Sequence, residues 1–299
     1  MVNTRRNRGQ NQRREEEHEA TRYNIEIMNR PEQPSRLMPI PDVQSGTDER
    51  HLAIDQVGIK GIKFPLAFAD RDGVAQSTIA LCNVYVALAE DRKGTHMSRM
   101  VMLLEERLAP GAVPLSVAGL RALLDDLVVR LDAPGGCIEL AFPFFVRKIA
   151  PVSGVASQLD YEVRLAGELK DGQFTTTVAV AAPVMSLCPA SKEISDYGAH
   201  NQRSTVTITV RPSEPVFIHE LLRIAEEEAS CELYGILKRA DEKYVTERAY
   251  DNPRFVEDLV RGVASRLAAD PRFEGFSVEA ENFESIHNHS AYARIAHGL

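Results

Sequence analysis

The 299-residue sequence lacks features that mark several large classes of protein. Its formal net charge is −8, so it does not have the basic surface with which a general nucleic-acid binder holds the phosphate backbone. No apolar run approaches the roughly 20 residues of a membrane-spanning helix. Arg5-Arg6 is not followed by the apolar stretch of a secretory signal. We therefore expect a soluble, cytoplasmic protein that binds neither nucleic acid nor membrane.

Cysteine is scarce and scattered. The chain has four cysteines with no Cys-x-x-Cys spacing among them: Cys82, Cys137, Cys188 and Cys231. This distribution indicates reduced thiols in a reducing compartment rather than a disulfide framework.

Residues 1–38 are dominated by charged side chains and contain almost no apolar residues before Tyr23. Such a composition is typical of disorder. We interpret the segment as a disordered, charged N-terminal extension. A solvated tail explains it more simply than a docking arm for a partner does.

The remaining chain repeats one order of predicted elements. Period-2 alternation predicts a hairpin over 51–88, and period-3.6 stripes predict helices to about residue 108 and over 117–131, the second with Ser116 as N-cap. A second hairpin follows over 137–169. The second half reads as strands over 174–185 and 205–210, helices after Pro215 and Pro253, and closing strands. We therefore predict an α+β fold with two tandem ββααββ modules, residues 39–172 and 173–299.

One connection, residues 187–204, concentrates reactive side chains between two predicted strands. Cys188 and His200 lie twelve residues apart in it, and the pair Asp241-Glu242 further along supplies a candidate third ligand. Thiolate, imidazole and carboxylate form a three-ligand metal set that leaves one position open for water. Spacing alone does not exclude a purely structural role for these residues, because a single Cys or His is often a buried structural residue.

Other titratable and cationic residues are candidates for the same site. Glu284, His287 and His289 form a second cluster, in which the imidazoles can carry protons near neutral pH. Glu257, near the start of a predicted helix, could face a guanidine-like edge. Four cations that could hold a polyphosphate flank these clusters: Arg99, Arg203, Lys238 and Arg239.

Six separated motifs occur in one order. They are Ile40-Pro-Asp-Val-Gln44, Lys93-Gly-Thr-His-Met-Ser-Arg99, Cys188-Pro-Ala-Ser-Lys-Glu-Ile-Ser with Tyr197-Gly-Ala-His-Asn-Gln-Arg203, Leu237-Lys-Arg239 with Asp241-Glu-Lys243, Ala249-Tyr-Asp-Asn-Pro253 with Phe255-Val-Glu-Asp258, and Glu284-Ser-Ile-His-Asn-His289. Together they resemble the type IB GTP cyclohydrolase I family from about residue 40 to the end of the chain. Ala240 stands where we expect a proline in that family.

The resemblance implies a fold, an assembly and a reaction. The fold would be the tunnelling fold (T-fold), in a homotetramer with active sites between subunits. The reaction would be metal-dependent hydrolytic opening of the imidazole ring of GTP, giving formate and 7,8-dihydroneopterin triphosphate in the first step of tetrahydrofolate biosynthesis. One Zn²⁺ or Mn²⁺ ion would serve each active site.

The resemblance also implies roles for individual residues. The metal would lie on Cys188, His200 and Glu242, with Glu284 as a further ligand or proton-transfer group. Glu257 would hold the guanine edge. His287 and His289 would be proton-transfer or purine-binding groups.

Three other interpretations remain open at this point. A nitrile reductase of the queuosine pathway would use cysteine as a covalent nucleophile and need no metal. A purine- or metal-sensing module would keep the pocket without catalysis. A closed structural zinc site would need a fourth protein ligand.

Overall fold

A computed structural model describes residues 42–299 of the chain. The predicted N-terminal extension, residues 1–38, lies outside the described residues. Within residues 42–299, no helix is both long enough and apolar enough to cross a membrane.

Nine strands form one antiparallel sheet. Eight of them follow the order β1-β2-β3-β4-β5-β6-β8-β9, and the short β7 pairs only with β5. The strands are β1 (Ile54–Ala69), β2 (Ala75–Leu88), β3 (Gly136–Ile149), β4 (Ala156–Lys170), β5 (Gln173–Leu187), β6 (Asn201–Pro212), β7 (Cys231–Glu232), β8 (Phe273–Asn282) and β9 (Ala291–His297).

Six helices complete the described fold. They are α1 (Met97–Leu108), α2 (Leu120–Leu131), α3 (Pro189–Ile194), α4 (Ile218–Glu228), α5 (Arg239–Asp251) and α6 (Val256–Ala269). The leucine stripes of α1 and α2 are buried, as are the apolar stripes of α4 and α6. In β5, alternate residues such as Val178, Val180 and Val184 are fully buried against these helices, because side chains of a strand point to opposite faces in turn.

The strand registers place the loops at two ends of the sheet. Ile149 pairs with Ala156, Leu187 with Asn201, and Asn282 with Ala291, so the loops after β3, β5 and β8 emerge at one end. Val86 pairs with Gly136, so the chain leaves β2 toward α1 at the opposite end. We call the first of these the β5 end.

The predicted tunnelling fold with two tandem ββααββ modules is wrong. β4 and β5, which we assigned to different modules, pair continuously from Glu162 with Ala181 to Lys170 with Gln173, so the strands form one sheet. The second half also contains four helices rather than two. Helix α5 was missed because only Asp241, Val245 and Ala249 of its residues are buried, which leaves almost no apolar periodicity. The boundaries 39–172 and 173–299 stay predictions.

Candidate active site

Cys188 lies at the β5 end, between strand β5 and the short helix α3. Its backbone N–H donates to the carbonyl of His200 (3.1 Å), which brings the two ends of the connection together. Its Sγ accepts a hydrogen bond from the backbone N–H of Ser191 (3.4 Å), because Cys188 is the N-cap of α3. Cys188 is partly exposed, whereas the other three cysteines are buried.

Burial changes the chemistry of the other thiols. It raises the pKa of Cys82 to about 11 and that of Cys137 to about 12, where Glu139 and Glu168 add to the effect. Such thiols stay protonated at neutral pH and do not bind metals readily. Cys188 is therefore the cysteine whose surroundings suit a metal ligand or a nucleophile.

His200 lies next to Cys188 at the start of β6 and faces two oxygen acceptors. Its Nδ1 is 2.9 Å from Oε1 of Gln202 and 3.6 Å from Oε2 of Glu284. The side chains of His200 and Glu284 are only 11% and 12% exposed. Because Nδ1 is engaged on this side, the other ring nitrogen, Nε2, is the one left to bind a ligand.

Glu242 is exposed in the first turn of α5, and its neighbour Asp241 fixes that turn. Asp241 accepts hydrogen bonds from the backbone N–H groups of Val152, Ser153 and Lys238 and from the hydroxyl of Ser153 (2.6–2.9 Å). Burial acts to raise the pKa of Asp241, but these hydrogen bonds outweigh it and hold that pKa well below its usual range. Asp241 is therefore committed to structure, and Glu242 is the free carboxylate of the pair.

The side chains at the β5 end are of the types that bind metals, although they are not close enough together to hold an ion. Cys188, His200 and Glu284 are brought together, but no three Cys, His, Asp or Glu side chains within residues 42–299 are close enough to hold an ion. Sulfur, nitrogen and oxygen donors suit zinc and also accept manganese. The residue types therefore fit a metal ion.

His287, His289 and the predicted guanine-binding residue Glu257 lie in exposed segments. The rings of His287 and His289 stack with their centroids 5.2 Å apart and an interplanar angle of 19°, in a series of bends between β8 and β9. Glu257 is exposed in the first turn of α6, which begins at the β5 end because the N–H of Arg254 donates to the carbonyl of Leu187 (3.0 Å). These groups are accessible to a substrate.

Three of the predicted phosphate-binding cations are exposed on elements that reach the β5 end. Arg203 is on β6, and its carbonyl accepts from the N–H of Phe283 (3.1 Å); Lys238 and Arg239 begin α5. Arg99 instead lies in α1, where its Nη1 donates to the carbonyl of Arg130 (3.2 Å). Since the chain leaves β2 at the opposite end of the sheet, the structure does not bring Arg99 to the other candidates.

Gln202 and its two serine neighbours were not predicted from the sequence. The amide of Gln202 donates from Nε2 to Oγ of Ser186 (3.1 Å), which is 2.6 Å from Oγ of Ser204. Strand alternation could have indicated them, since residues 202 and 204 lie on the same face of β6 as His200, which directly precedes the strand.

Comparison with known proteins places this geometry in a family. Residues 40–293 match the family model described as type I GTP cyclohydrolase folE2. The chain belongs to that family. The GTP cyclohydrolase FolE2 2 of Cupriavidus metallidurans is 57% identical over 258 residues, covering 86% of this chain and 95% of the relative. The GTP cyclohydrolase FolE2 of Nitrosomonas eutropha is 57% identical, covering 86% of this chain and 95% of the relative. The GTP cyclohydrolase FolE2 2 of Dechloromonas aromatica is 54% identical, covering 86% of this chain and 93% of the relative.

Membership of the FolE2 family confirms two predictions and corrects another. GTP cyclohydrolase I activity in folate biosynthesis and the class of hydrolase acting on GTP are confirmed. The family is type I GTP cyclohydrolase folE2. The assignment of the chain to the tunnelling-fold superfamily, which the motif resemblance implied, is wrong.

Solved structures give only remote likenesses. The uricase of Arthrobacter globiformis is 10% identical with a TM-score of 0.45, covering 81% of this chain and 92% of that one. A urate oxidase of Bacillus sp. TB-90 is 9% identical with a TM-score of 0.47 (81% and 98%). Both TM-scores lie below 0.5, so we infer neither fold nor function from these structures.

Proposed function

We propose that the β5 end is the active site at which the imidazole ring of GTP is opened by hydrolysis. Formate leaves, and rearrangement of the sugar closes 7,8-dihydroneopterin triphosphate, the first step of de novo tetrahydrofolate biosynthesis. The observation that supports this site is that the backbone of Cys188, whose thiol is partly exposed, bonds to the backbone of His200, whose imidazole faces the carboxylate of Glu284.

One divalent ion, Zn²⁺ or Mn²⁺, would be held in each active site by Cys188, His200 and Glu242. In such a site, the ion supplies Lewis acidity and lowers the pKa of water to about 7. Two features of the chain support these ligands. Within the described part of the chain, the Sγ of Cys188 accepts a single hydrogen bond, from Ser191, and Nε2 of the His200 imidazole makes none. Glu242 is exposed and can approach.

The chain's other groups would supply the proton transfers. Release of C8 as formate adds two water molecules at C8 in succession and breaks its two C–N bonds, so each water must lose a proton and each departing nitrogen must gain one. Glu284 and His287 are the groups we assign to these transfers, with His289 stacked on His287 at the purine. Glu257 would accept hydrogen bonds from N1–H and the exocyclic amine of guanine, a bidentate arrangement that a carboxylate favours.

The triphosphate would lie against Arg203, Lys238 and Arg239. Arg99 belongs to the opposite end of the sheet, and β2 alone, with 14 residues, spans about 45 Å. Arg99 can therefore contribute only if a second subunit presents it. We accordingly propose a homotetramer with active sites between subunits, in which the partner subunit's Arg99 completes the phosphate site.

The test combines activity, metal and one ligand. Protein freed of metal by a chelator is mixed with GTP, with and without Zn²⁺ or Mn²⁺, and formate release and pterin fluorescence are followed. We expect activity only with metal, and a loss of more than about 100-fold for Cys188→Ala, because even groups behind a metal ligand are worth about 10–100-fold. Cys137→Ala, at the other end of the sheet, is the matched control and should stay active.

The outcomes separate the parts of this proposal. Metal-independent formate release would remove the ion from the reaction, and an active Cys188→Ala enzyme would move the site elsewhere. A monomer by light scattering that nevertheless turned over GTP would contradict the shared active site.

A further inference from the structure

We infer that Gln202 is a positioning residue that holds His200 in the Nδ1–H tautomer and so reserves Nε2 for the metal. Oε1 of Gln202 lies 2.9 Å from Nδ1 of His200, a normal hydrogen-bond length. Gln202 is only 9% exposed, so water competes poorly for this contact. This inference rests on the metal site proposed above.

Glu284 decides the direction of the hydrogen bond. Its Oε2 lies 3.6 Å from the same ring nitrogen, and an ionised carboxylate can only accept. If the Gln202 amide were turned over, Nδ1 would be an acceptor whose lone pair also faced that carboxylate. A proton on Nδ1 instead satisfies the amide oxygen and attracts the carboxylate, so this arrangement has the lower energy.

Two buried serines anchor the far end of the amide, and the carboxylate of Glu284 selects which end faces His200. Nε2 of Gln202 donates to Oγ of Ser186 (3.1 Å), and Oγ of Ser186 lies 2.6 Å from Oγ of Ser204. Both serines are fully buried. Ser186 is also the direct strand partner of Gln202, so the β5–β6 register fixes the spacing of the chain of hydrogen bonds from the serines to the imidazole.

This arrangement matters because a metal-binding imidazole needs a lone pair on the ligating nitrogen. A partner on the other nitrogen fixes the tautomer and the ring direction, and its removal typically costs 10–100-fold in metal affinity or activity. Gln202 therefore acts through His200 and does not itself contact the substrate or the ion.

The first test measures metal affinity, not turnover. Apo-protein competes with a chromogenic chelator for Zn²⁺. We expect Gln202→Leu, which removes the acceptor, to weaken Zn²⁺ binding by about 10–100-fold. Gln202→Glu keeps an acceptor at the same place and should stay within about 3-fold of the wild type, since the contact to Nδ1 survives.

Gln76→Leu is the matched control. Gln76 also uses both amide atoms, accepting from the N–H of Phe145 (2.8 Å) and donating to its carbonyl (3.2 Å), but it has no contact with His200. Its substitution should leave Zn²⁺ affinity unchanged. Circular dichroism of every variant shows whether it is folded.

The second test reads the tautomer directly from ¹⁵N chemical shifts of the His200 ring in the apo-protein. We expect protonated Nδ1 in the wild type and loss of that preference in Gln202→Leu, a change that a purely structural role would not produce. Protonated Nε2 in the wild type, or equal Zn²⁺ affinities for the wild type and Gln202→Leu, would overturn the inference. A wild type that binds no Zn²⁺ but has protonated Nδ1 would instead count against the proposed metal site.

Discussion

Two polar clusters at the same end of the sheet differ in how completely their charged groups are paired. In the first, which we call the lysine cluster, Nζ of Lys148 contacts the carboxylates of Glu226 (2.8 Å) and Glu232. Tyr161 donates to Glu226, and Tyr234 donates to Glu232 (2.8 Å). Each carboxylate thus has two donors, and the ammonium has two acceptors.

The second cluster, formed by Cys188, His200 and Glu284, keeps bonding capacity unused. Among residues 42–299, Nε2 of His200 has no hydrogen-bond partner, and Oε2 of Glu284 approaches Nδ1 only to 3.6 Å. Burial acts to lower the pKa of Lys148, but Glu226 and Glu232 outweigh it and hold that pKa above its usual range. Complete pairing is typical of a structural cluster, whereas the incomplete pairing at Cys188, His200 and Glu284 agrees with the binding role we propose for them.

Removing the centre of the lysine cluster should produce the largest effect. Lys148→Met leaves two largely buried carboxylates without their cation, and we expect a loss of about 3–5 kcal/mol in the free energy of unfolding. Urea denaturation followed by circular dichroism measures it. Lys243→Met is the control, since Lys243 and Glu247 form an exposed pair on α5 that should contribute less than about 1 kcal/mol. Equal losses would contradict the contrast between the clusters.

Glu284→Gln, at the second cluster, should lower activity strongly and stability little. The charge that faces His200 disappears while the shape is kept, so GTP-dependent formate release should fall about 10–100-fold, as for loss of other groups behind a metal ligand. The free energy of unfolding should change by less than about 1 kcal/mol, because the contact of Glu284 with Nδ1 of His200 is long, at 3.6 Å. A variant that is destabilised but fully active would reverse our assignment of the two clusters.

The smallest effect concerns the pH dependence of stability. Burial acts to raise the pKa of Glu232, but hydrogen bonds from Lys148 and Tyr234 outweigh it and hold that pKa below its usual range. The ionised carboxylate therefore contributes stability above its unfolded-state pKa of about 4.3, and this contribution is lost as the pH falls through the lower folded-state pKa.

Glu232→Gln removes this titration. Between pH 5 and pH 3, its unfolding free energy should fall less steeply than that of the wild type, by up to about 1.4 kcal/mol per pH unit. Urea denaturation across this range measures both slopes, and parallel slopes would show that Glu232 does not titrate as part of the fold.

Local patterns predicted local structure well. Alternation over 174–185 and 205–210 corresponds to β5 and β6, and the stripe over 117–131 corresponds to α2. Ser116 was predicted as the N-cap of that helix, but its hydroxyl accepts from the N–H of Gly119, one residue before the helix begins at Leu120. Boundaries shift in this way because a serine can cap a preceding turn as readily as the helix itself.

Pairing between distant strands was not available from local patterns. Nothing in the alternation of β4 or β5 shows that they pair across residues 171–172 and join the two halves into one sheet. The site shows the same limit. Cys188 and His200 could be related by one loop, but the approach of Glu284 depends on β8 pairing with β6, and the role of Asp241 depends on the loop at Ser153.

Helix α5, which carries Glu242, packs over its own small apolar cluster instead of the main core. Cys231, Val245 and Ala249 form this cluster, with Met185, Tyr234 and Leu237 around it. Local opening of α5 therefore exposes little apolar surface and leaves the main core intact, so its amides should exchange with deuterated water sooner than those of β5. An ion shared by Glu242 and Cys188 would couple the helix to the sheet and slow that exchange, making α5 a reporter of occupancy.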